Sequence, residues 1–190
     1  MTRMNVNGVE INTVEKGNGE ALVFLHGFTG SHADWTGQVE QTAAQYRTIA
    51  VDHRGHGQSS APESESAYSI KIFAEDVYSI LVELGIKRCC LIGHSMGGFM
   101  SLQLAVDHPE LVRGLVLVDT SSGEWDIVPG YAEFKHKLQD LARTEGMEAA
   151  FDHDAAYNPT RIEKFAKHPE LKEVARQKVL NTSLNGYIHA

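Results

Sequence analysis

The residues best suited to chemistry form a G-x-S-x-G motif between an apolar run and a helical pattern. The motif spans Gly93–Gly97 and has Ser95 at its centre. A strand, a sharp turn and a helix in this order expose the serine hydroxyl beyond the sheet edge, at the positive end of the helix. Because Gly93 and Gly97 are small, the strand and helix backbones can pack closely. We therefore interpret Ser95 as a nucleophile rather than as an incidental serine in a glycine-rich turn.

An H-G motif follows an earlier apolar run, Ala21–Leu25. Hydrolysis of an acyl group requires two donors aimed at the developing oxyanion. We expect one to be the backbone N–H of Met96, directly after the nucleophile, and the other to be the N–H of Phe28. His26 is expected to order this loop by hydrogen bonding rather than to act as the base.

The segment Asp52–Ser60 is charged and rich in glycine, but its pattern favours a structural role. Asp52 can accept hydrogen bonds from the amides of the turn, and Arg54 can pair with a nearby carboxylate. The segment does not resemble a phosphate-binding loop, because it lacks the G-x-x-x-x-G-K-[ST] pattern.

The net charge of the protein disfavours some classes of binding partner. The net charge of −8 over 190 residues argues against nucleic acid and anionic membranes. We expect no signal peptide, since Met1–Gly8 has no apolar run, and no apolar stretch is long enough to span a bilayer.

The cysteine and histidine patterns do not indicate a metal or a cofactor. Cys89 and Cys90 are adjacent in a predicted strand, so their side chains point to opposite faces and cannot easily form a disulfide. They are typical of core residues in a reducing cytoplasm, where we expect the protein to reside. The ten histidines show no H-x-x-x-H pattern.

Strands alternate with helices along the first part of the chain, which predicts an α/β fold with a mostly parallel sheet. The predicted strands are 9–15, 21–25, 47–51, 89–92 and 115–118, and the predicted helices are 34–45, 69–84 and 96–107.

From residue 124 the pattern changes to short amphipathic helices, predicted at 131–143, 147–157, 161–167 and 169–180. We therefore divide the chain into a core at residues 1–123 and a helical cap at 124–190. Trp125, Tyr131 and Phe134 are candidates for lining a pocket beneath the cap.

Three motifs occur in an order and spacing that resemble the α/β-hydrolase superfamily: H-G-F-T-G-S at His26–Ser31, D-H-R-G-H-G-Q-S at Asp52–Ser59 and G-H-S-M-G-G at Gly93–Gly98. The resemblance covers essentially the whole chain. It implies an α/β-hydrolase fold, with a doubly wound, mostly parallel sheet and a helical cap. It also implies that Ser95 is the nucleophile and that Phe28 and Met96 supply the oxyanion amides.

The family's acid and histidine normally follow the cap on two further strands, and we find neither strand. We therefore expect the C-terminal strands to be missing and the base to lie outside this chain. Asp119 remains a possible acid. His136, His153, His168 and His189 are more typical of surface positions than of a triad base.

Without those strands, the segment Leu115–Val118 is expected to form an unpaired apolar edge, which favours association. Three explanations stay open: the chain is a truncated or cleaved piece, a second chain completes the fold, or a self-swapped copy does so.

The leading functional hypothesis is a cofactor-free serine hydrolase of small carboxylic esters or lactones. A serine nucleophile disfavours the superfamily's haloalkane dehalogenase and epoxide hydrolase branches, which use a carboxylate. C–C bond hydrolysis or perhydrolysis on the same scaffold is an alternative. A catalytically silent binding or regulatory fragment is another.

Overall fold

The computed structural model describes residues 1–122 and 129–190, and one six-stranded sheet organises the first of these ranges. The strand order is β1-β2-β4-β3-β5-β6. Strand β3 pairs in parallel with β4 and β5, and β5 with β6, whereas β2 is antiparallel to β1 and β4. The predicted α/β architecture is thus confirmed. The strands are β1 (Thr2–Val6), β2 (Val9–Lys16), β3 (Ala21–Leu25), β4 (Arg47–Val51), β5 (Cys89–His94) and β6 (Val112–Val118).

Helices cover both faces of this sheet, because successive strand residues point to opposite sides. On one face, Phe24 and Ala50 pack against Trp35 and Val39. On the other face, the strands pack against the apolar sides of two longer helices. The helices concerned are α1 (Thr36–Thr42) on the first face, and α2 (Ile70–Glu83) and α3 (Met96–Asp107) on the second.

Five further helices form a second hydrophobic cluster, centred on the fully buried Phe151. They are α4 (Tyr131–Thr144), α5 (Met147–Tyr157), α6 (Pro159–Lys167), α7 (Glu170–Leu180) and α8 (Leu184–His189). We call them the helical region. The boundary expected between residues 123 and 124 lies outside the described residues.

Backbone contacts attach the helical region to the core. The Ser183 hydroxyl donates to the Gly55 carbonyl oxygen at 2.7 Å. A Cβ on Gly186 would overlap the same carbonyl. Lys178 adds an ion pair with Asp34, with 2.7 Å between Nζ and Oδ1. This close packing holds α8 over the loop that follows β4.

The sequence-based elements differ from the observed ones at three places. Strand β1 and helix α8 were not predicted: β1 has only two buried residues, Met4 and Val6, and α8 has only six residues. The helix expected at 34–45 instead begins as a 3-10 turn at His32–Trp35 and continues as α1.

Strand β6 forms an edge of the sheet, as the sequence predicts. Its last four side chains are between 36% and 51% exposed, although all four are apolar. An exposed apolar edge strand can pair with another segment of polypeptide.

Both cysteines are free, with Cys89 buried and Cys90 half-buried. No helix in the described ranges combines the length and apolar character needed to cross a bilayer.

Candidate active site

Ser95 occupies the single residue between β5 and α3, where the chain turns sharply. Its backbone has φ 50° and ψ −114°, a region that residues other than glycine rarely adopt. The Ser95 N–H donates to the Val118 carbonyl at 2.9 Å, and the Thr120 hydroxyl donates to the Ser95 carbonyl at 2.9 Å. The surrounding structure therefore holds this strained backbone in place, as is common at functional sites.

The two motif glycines are required by close backbone approaches. A Cβ on Gly97 would overlap the carbonyl oxygen of Leu25 in β3, and a Cβ on Gly93 would overlap the carbonyl oxygen of Gly97. The obstructing atoms are backbone atoms of paired strands or of the helix, so they cannot move aside as a flexible side chain can. Helix α3 can therefore lie this close to the sheet only without side chains at these positions.

We predict that Gly97→Ala lowers the free energy of unfolding by about 3 kcal/mol, because the added methyl group overpacks a rigid backbone contact. Urea unfolding measures this change. Gly37→Ala is the matched control: a Cβ there meets no atom within 4 Å. Alanine in helix α1 should raise stability by roughly 0.5–1 kcal/mol. Equal effects of the two substitutions would contradict the prediction.

The loop after β3 lies beside Ser95. A Cβ on Gly27 would be 3.2 Å from Ser95 Cβ and 2.8 Å from His94 Nδ1. The next residue, Phe28, is 39% exposed. Neither the Phe28 N–H nor the Met96 N–H donates to an acceptor in the described part of the chain. The backbone N–H groups of Phe28 and Met96 therefore have no described acceptor.

Three histidines are buried together beneath this loop, at His26, His53 and His56. The His53 N–H donates to His26 Nε2 at 3.2 Å, so that nitrogen carries no proton. The proton of His26 is therefore on Nδ1, which lies 2.7 Å from the Gly27 carbonyl. His26 orders the loop by hydrogen bonding, as the sequence predicts.

Burial lowers the pKa of His53 to about 3 and that of His56 to about 4. Burial, followed by the neighbouring His53, also lowers the pKa of His26. All three imidazoles are consequently neutral at pH 7. Within the described ranges, no three potential ligand side chains are arranged to hold a metal ion.

The expected structural roles of Asp52 and Arg54 are confirmed. The buried Asp52 carboxylate accepts the His32 N–H at 2.6 Å and the Gln58 N–H at 2.9 Å. Arg54 forms a bidentate pair with Asp76 of α2, at 2.6 and 2.7 Å.

A cavity of about 700 Å³ lies between the core and the helical region, and Ser95 lines it together with Phe28 and Met96. Tyr131 and Phe134 also line it, whereas Trp125 lies outside the described residues. The remaining lining is mainly apolar, with a few polar side chains. This combination is typical of a small-molecule site.

Among the described residues, no histidine side chain forms a hydrogen bond with the Ser95 hydroxyl. Asp119 follows β6 with a 90% exposed side chain, and its Oδ2 is 4.0 Å from His94 Nε2. The rings of His153 and His189 instead contact aromatic neighbours, and His136 and His168 are exposed.

The family model described as alpha/beta hydrolase fold matches residues 20–166 of this sequence. The chain belongs to the alpha/beta hydrolase fold family. Among solved structures, this chain is similar to the enol-lactonase from Burkholderia xenovorans LB400, with a TM-score of 0.82 and 27% identity. That similarity covers 99% of this chain and 71% of the enol-lactonase chain.

Curated relatives of this chain include enzymes of differing chemistry. It is 37% identical to bifunctional epoxide hydrolase 2 from Sus scrofa, over 60% of this chain and 20% of the relative. It is 34% identical to a fluoroacetate dehalogenase from Burkholderia sp, over 74% of this chain and 45% of the relative. The matched region thus spans less than half the length of either relative.

Sequence patterns did not indicate a polar group in the cavity wall, at Asp154, Asn158 and Arg161. Asp154 is buried and accepts hydrogen bonds from the other two side chains. Asp154 is on α5, Arg161 is on α6 and Asn158 joins the two helices, so the bend between the helices, rather than a spacing along one helix, brings the three side chains together.

Proposed function

We propose that this protein is, or is part of, a serine hydrolase of small carboxylic esters or lactones. Ser95 attacks the acyl carbon, and the Phe28 and Met96 amides stabilise the oxyanion. Residues 131–190 act as a cap over the substrate. Water then hydrolyses the acyl-enzyme and releases the acid.

The observation that carries this proposal is that a strained serine lines one cavity together with Phe28 and Met96, whose backbone N–H groups have no described acceptor. An oxyanion needs preorganised donors in a site that excludes water, and neutral backbone amides supply them without added charge. The similarity to an enol-lactonase fold over nearly the whole chain supports the same substrate class.

The base is proposed to be a histidine outside these 190 residues. The edge strand β6 ends at Val118, close to Ser95, since the Val118 carbonyl accepts the Ser95 N–H. A segment that paired with β6 would therefore bring its own residues near the nucleophile. This segment belongs to a longer form of the chain or to a second, different chain.

The epoxide hydrolase and dehalogenase relatives raise a competing activity. The epoxide hydrolase and haloalkane dehalogenase branches of the superfamily use a carboxylate nucleophile. This chain instead has Ser95 at the centre of its G-x-S-x-G motif. We therefore expect turnover of p-nitrophenyl acetate, but none of styrene oxide, from the form that contains the base.

A fluorophosphonate probe tests the nucleophile directly, because it labels an activated serine. We predict that the base-containing protein is labelled within minutes and that Ser95→Ala abolishes labelling. The exposed Ser66 offers a matched control, and Ser66→Ala should leave labelling unchanged. Labelling that survives Ser95→Ala, or a labelling rate no faster than that of the unfolded protein, would refute the proposal.

A further inference from the structure

The cavity contains a charged group that the proposed acyl transfer does not use. Arg161 lines the cavity and donates from Nε to Asp154 Oδ2 at 2.9 Å. The other carboxylate oxygen of Asp154 accepts from Asn158 at 2.8 Å. Asp154 is therefore held by both neighbours, and it in turn fixes the orientation of the guanidinium.

This arrangement leaves the outer end of Arg161 available. Its two terminal Nη groups donate to no acceptor within residues 1–122 and 129–190. The Phe165 ring supports the guanidinium, with 5.9 Å from Cζ to the ring centroid. An arginine fixed at Nε presents a rigid pair of N–H donors, which matches the geometry of a carboxylate.

A second cation, Lys135 of α4, lines the same cavity and is half-buried. Its Nζ donates to the Ala190 main-chain oxygen at 3.2 Å. Burial lowers the pKa of this ammonium group, because part of its hydration is lost.

The cavity wall thus has a local charge opposite to that of the protein. Its described side chains that are charged at neutral pH are two cations, Lys135 and Arg161, and one carboxylate, Asp154, which is paired with Arg161. The whole sequence has a net charge of −8. A partly enclosed site whose side chains carry an excess of positive charge binds an anionic ligand better than a neutral analogue of the same shape.

We propose that the cavity selects esters or lactones that carry a second, ionised carboxyl group, and that Arg161 binds this carboxylate in a bidentate manner. Lys135 contributes positive potential to the same wall. The inference rests on the proposed function for the reacting ester or lactone, whereas the carboxylate site itself requires only binding.

The kinetic test compares mono-p-nitrophenyl glutarate with the neutral p-nitrophenyl butyrate, using the base-containing protein. Arg161→Gln should lower kcat/KM for the glutarate ester by roughly 10- to 100-fold, mainly through KM, and change that for the butyrate less than twofold. Lys164→Gln removes an equal charge from an exposed position on the same helix, so it should alter neither ester. Equal losses for both esters in Arg161→Gln would overturn the proposal.

A binding test requires no turnover. Isothermal titration calorimetry should show glutarate binding that glutaramide does not reproduce, that Arg161→Gln weakens at least tenfold and that Ser95→Ala preserves. Glutarate binding unaffected by Arg161→Gln, or equal binding of both compounds, would reject the carboxylate site. Arg161-dependent binding without fluorophosphonate labelling would support that site and refute the serine hydrolase.

Arg161→Gln leaves a buried carboxylate without its cation, which could unfold the helical region. The double variant Asp154→Asn, Arg161→Gln removes both charges and retains polar side chains. Circular dichroism verifies its fold. A folded double variant that binds glutarate as tightly as the unmodified protein would overturn the proposal.

Discussion

The folded protein is expected to lose its stability steeply between pH 6 and pH 4, because protonation of its buried histidines places positive charge in the protein interior. His53 Nε2 lies 3.0 Å from the His26 carbonyl, and His56 Nδ1 lies 3.1 Å from the Arg54 carbonyl. Each nitrogen donates its proton to that carbonyl in the neutral imidazole. The other nitrogen of each ring is buried without a partner among the described residues.

The sign of the effect follows from the direction of the pKa shifts. In the unfolded chain these histidines titrate near pH 6.5, whereas in the folded protein the pKa values of His53 and His56 are about 3 and about 4. The pKa of His26 is likewise lowered. Below pH 6.5 the unfolded chain therefore binds more protons than the folded one, and stability falls with pH.

The expected slope is large because the three groups act together. Each contributes about 1.4 kcal/mol per pH unit, so unfolding becomes easier by about 4 kcal/mol per unit once the unfolded histidines are protonated. A domain of ordinary stability, about 5–15 kcal/mol, would then unfold at roughly pH 4 to 5. Asp52, which faces His53 and His56, favours their charged forms, and it therefore narrows the pH range over which stability is lost.

Urea unfolding at a series of pH values measures this slope. His56→Gln should reduce this slope by about one third, because only two of the three buried histidines then remain to take up a proton on unfolding. The reduction is expected whether or not the substitution changes the stability at pH 7. His136→Gln, at an exposed position on α4, should leave it unchanged. Stability that is equal at pH 7 and pH 5, or a slope insensitive to His56→Gln, would contradict the argument.

The strand and helix pattern was predictable from the sequence because its signals are local. The buried parallel strands appear as continuous apolar runs, and α2 has its apolar residues on one stripe. Strand β1 gave a weak signal because only Met4 and Val6 of its residues are buried. An edge strand with one covered face needs few apolar residues.

The candidate site was predictable where motif and backbone geometry coincide. Position 97 requires glycine because the backbone of Leu25 lies against it. The G-x-S-x-G motif indicates this requirement in the sequence. Arg161 and Lys135 were not predictable as cavity residues, because their placement depends on how α4 to α6 pack together. Amphipathic patterns show that a helix has an apolar side, but they do not show which cavity its polar residues reach.

The partner of Arg54 was unpredictable for a related reason. Asp76 lies on the same helix as the buried Phe73, Val77 and Ile80, so its position resembles that of a core residue. The fold makes this position acceptable by bringing Arg54 against it from the loop after β4. The sequence indicates that Arg54 needs a carboxylate, but only the tertiary structure identifies which one.

Breaking this buried pair is expected to have the largest effect of any single polar substitution considered. Both side chains are at most 6% exposed, and Asp76 also accepts from Asn7 Nδ2 at 3.0 Å. Asp76→Asn leaves the Arg54 guanidinium buried without a counter-charge, which should lower the free energy of unfolding by about 3–5 kcal/mol. Urea unfolding at pH 7 measures the loss.

A double-mutant cycle separates the pair interaction from the cost of an orphaned charge. Arg54→Met combined with Asp76→Leu should destabilise the fold by less than the sum of the single changes, because neither charge then remains buried alone. The exposed pair of Glu163 and Lys167 on α6 is the control, and Glu163→Gln should cost no more than about 0.5 kcal/mol. If Asp76→Asn cost as little as Glu163→Gln, the guanidinium would be hydrated in solution, and the loop after β4 would not be anchored to α2 through this pair.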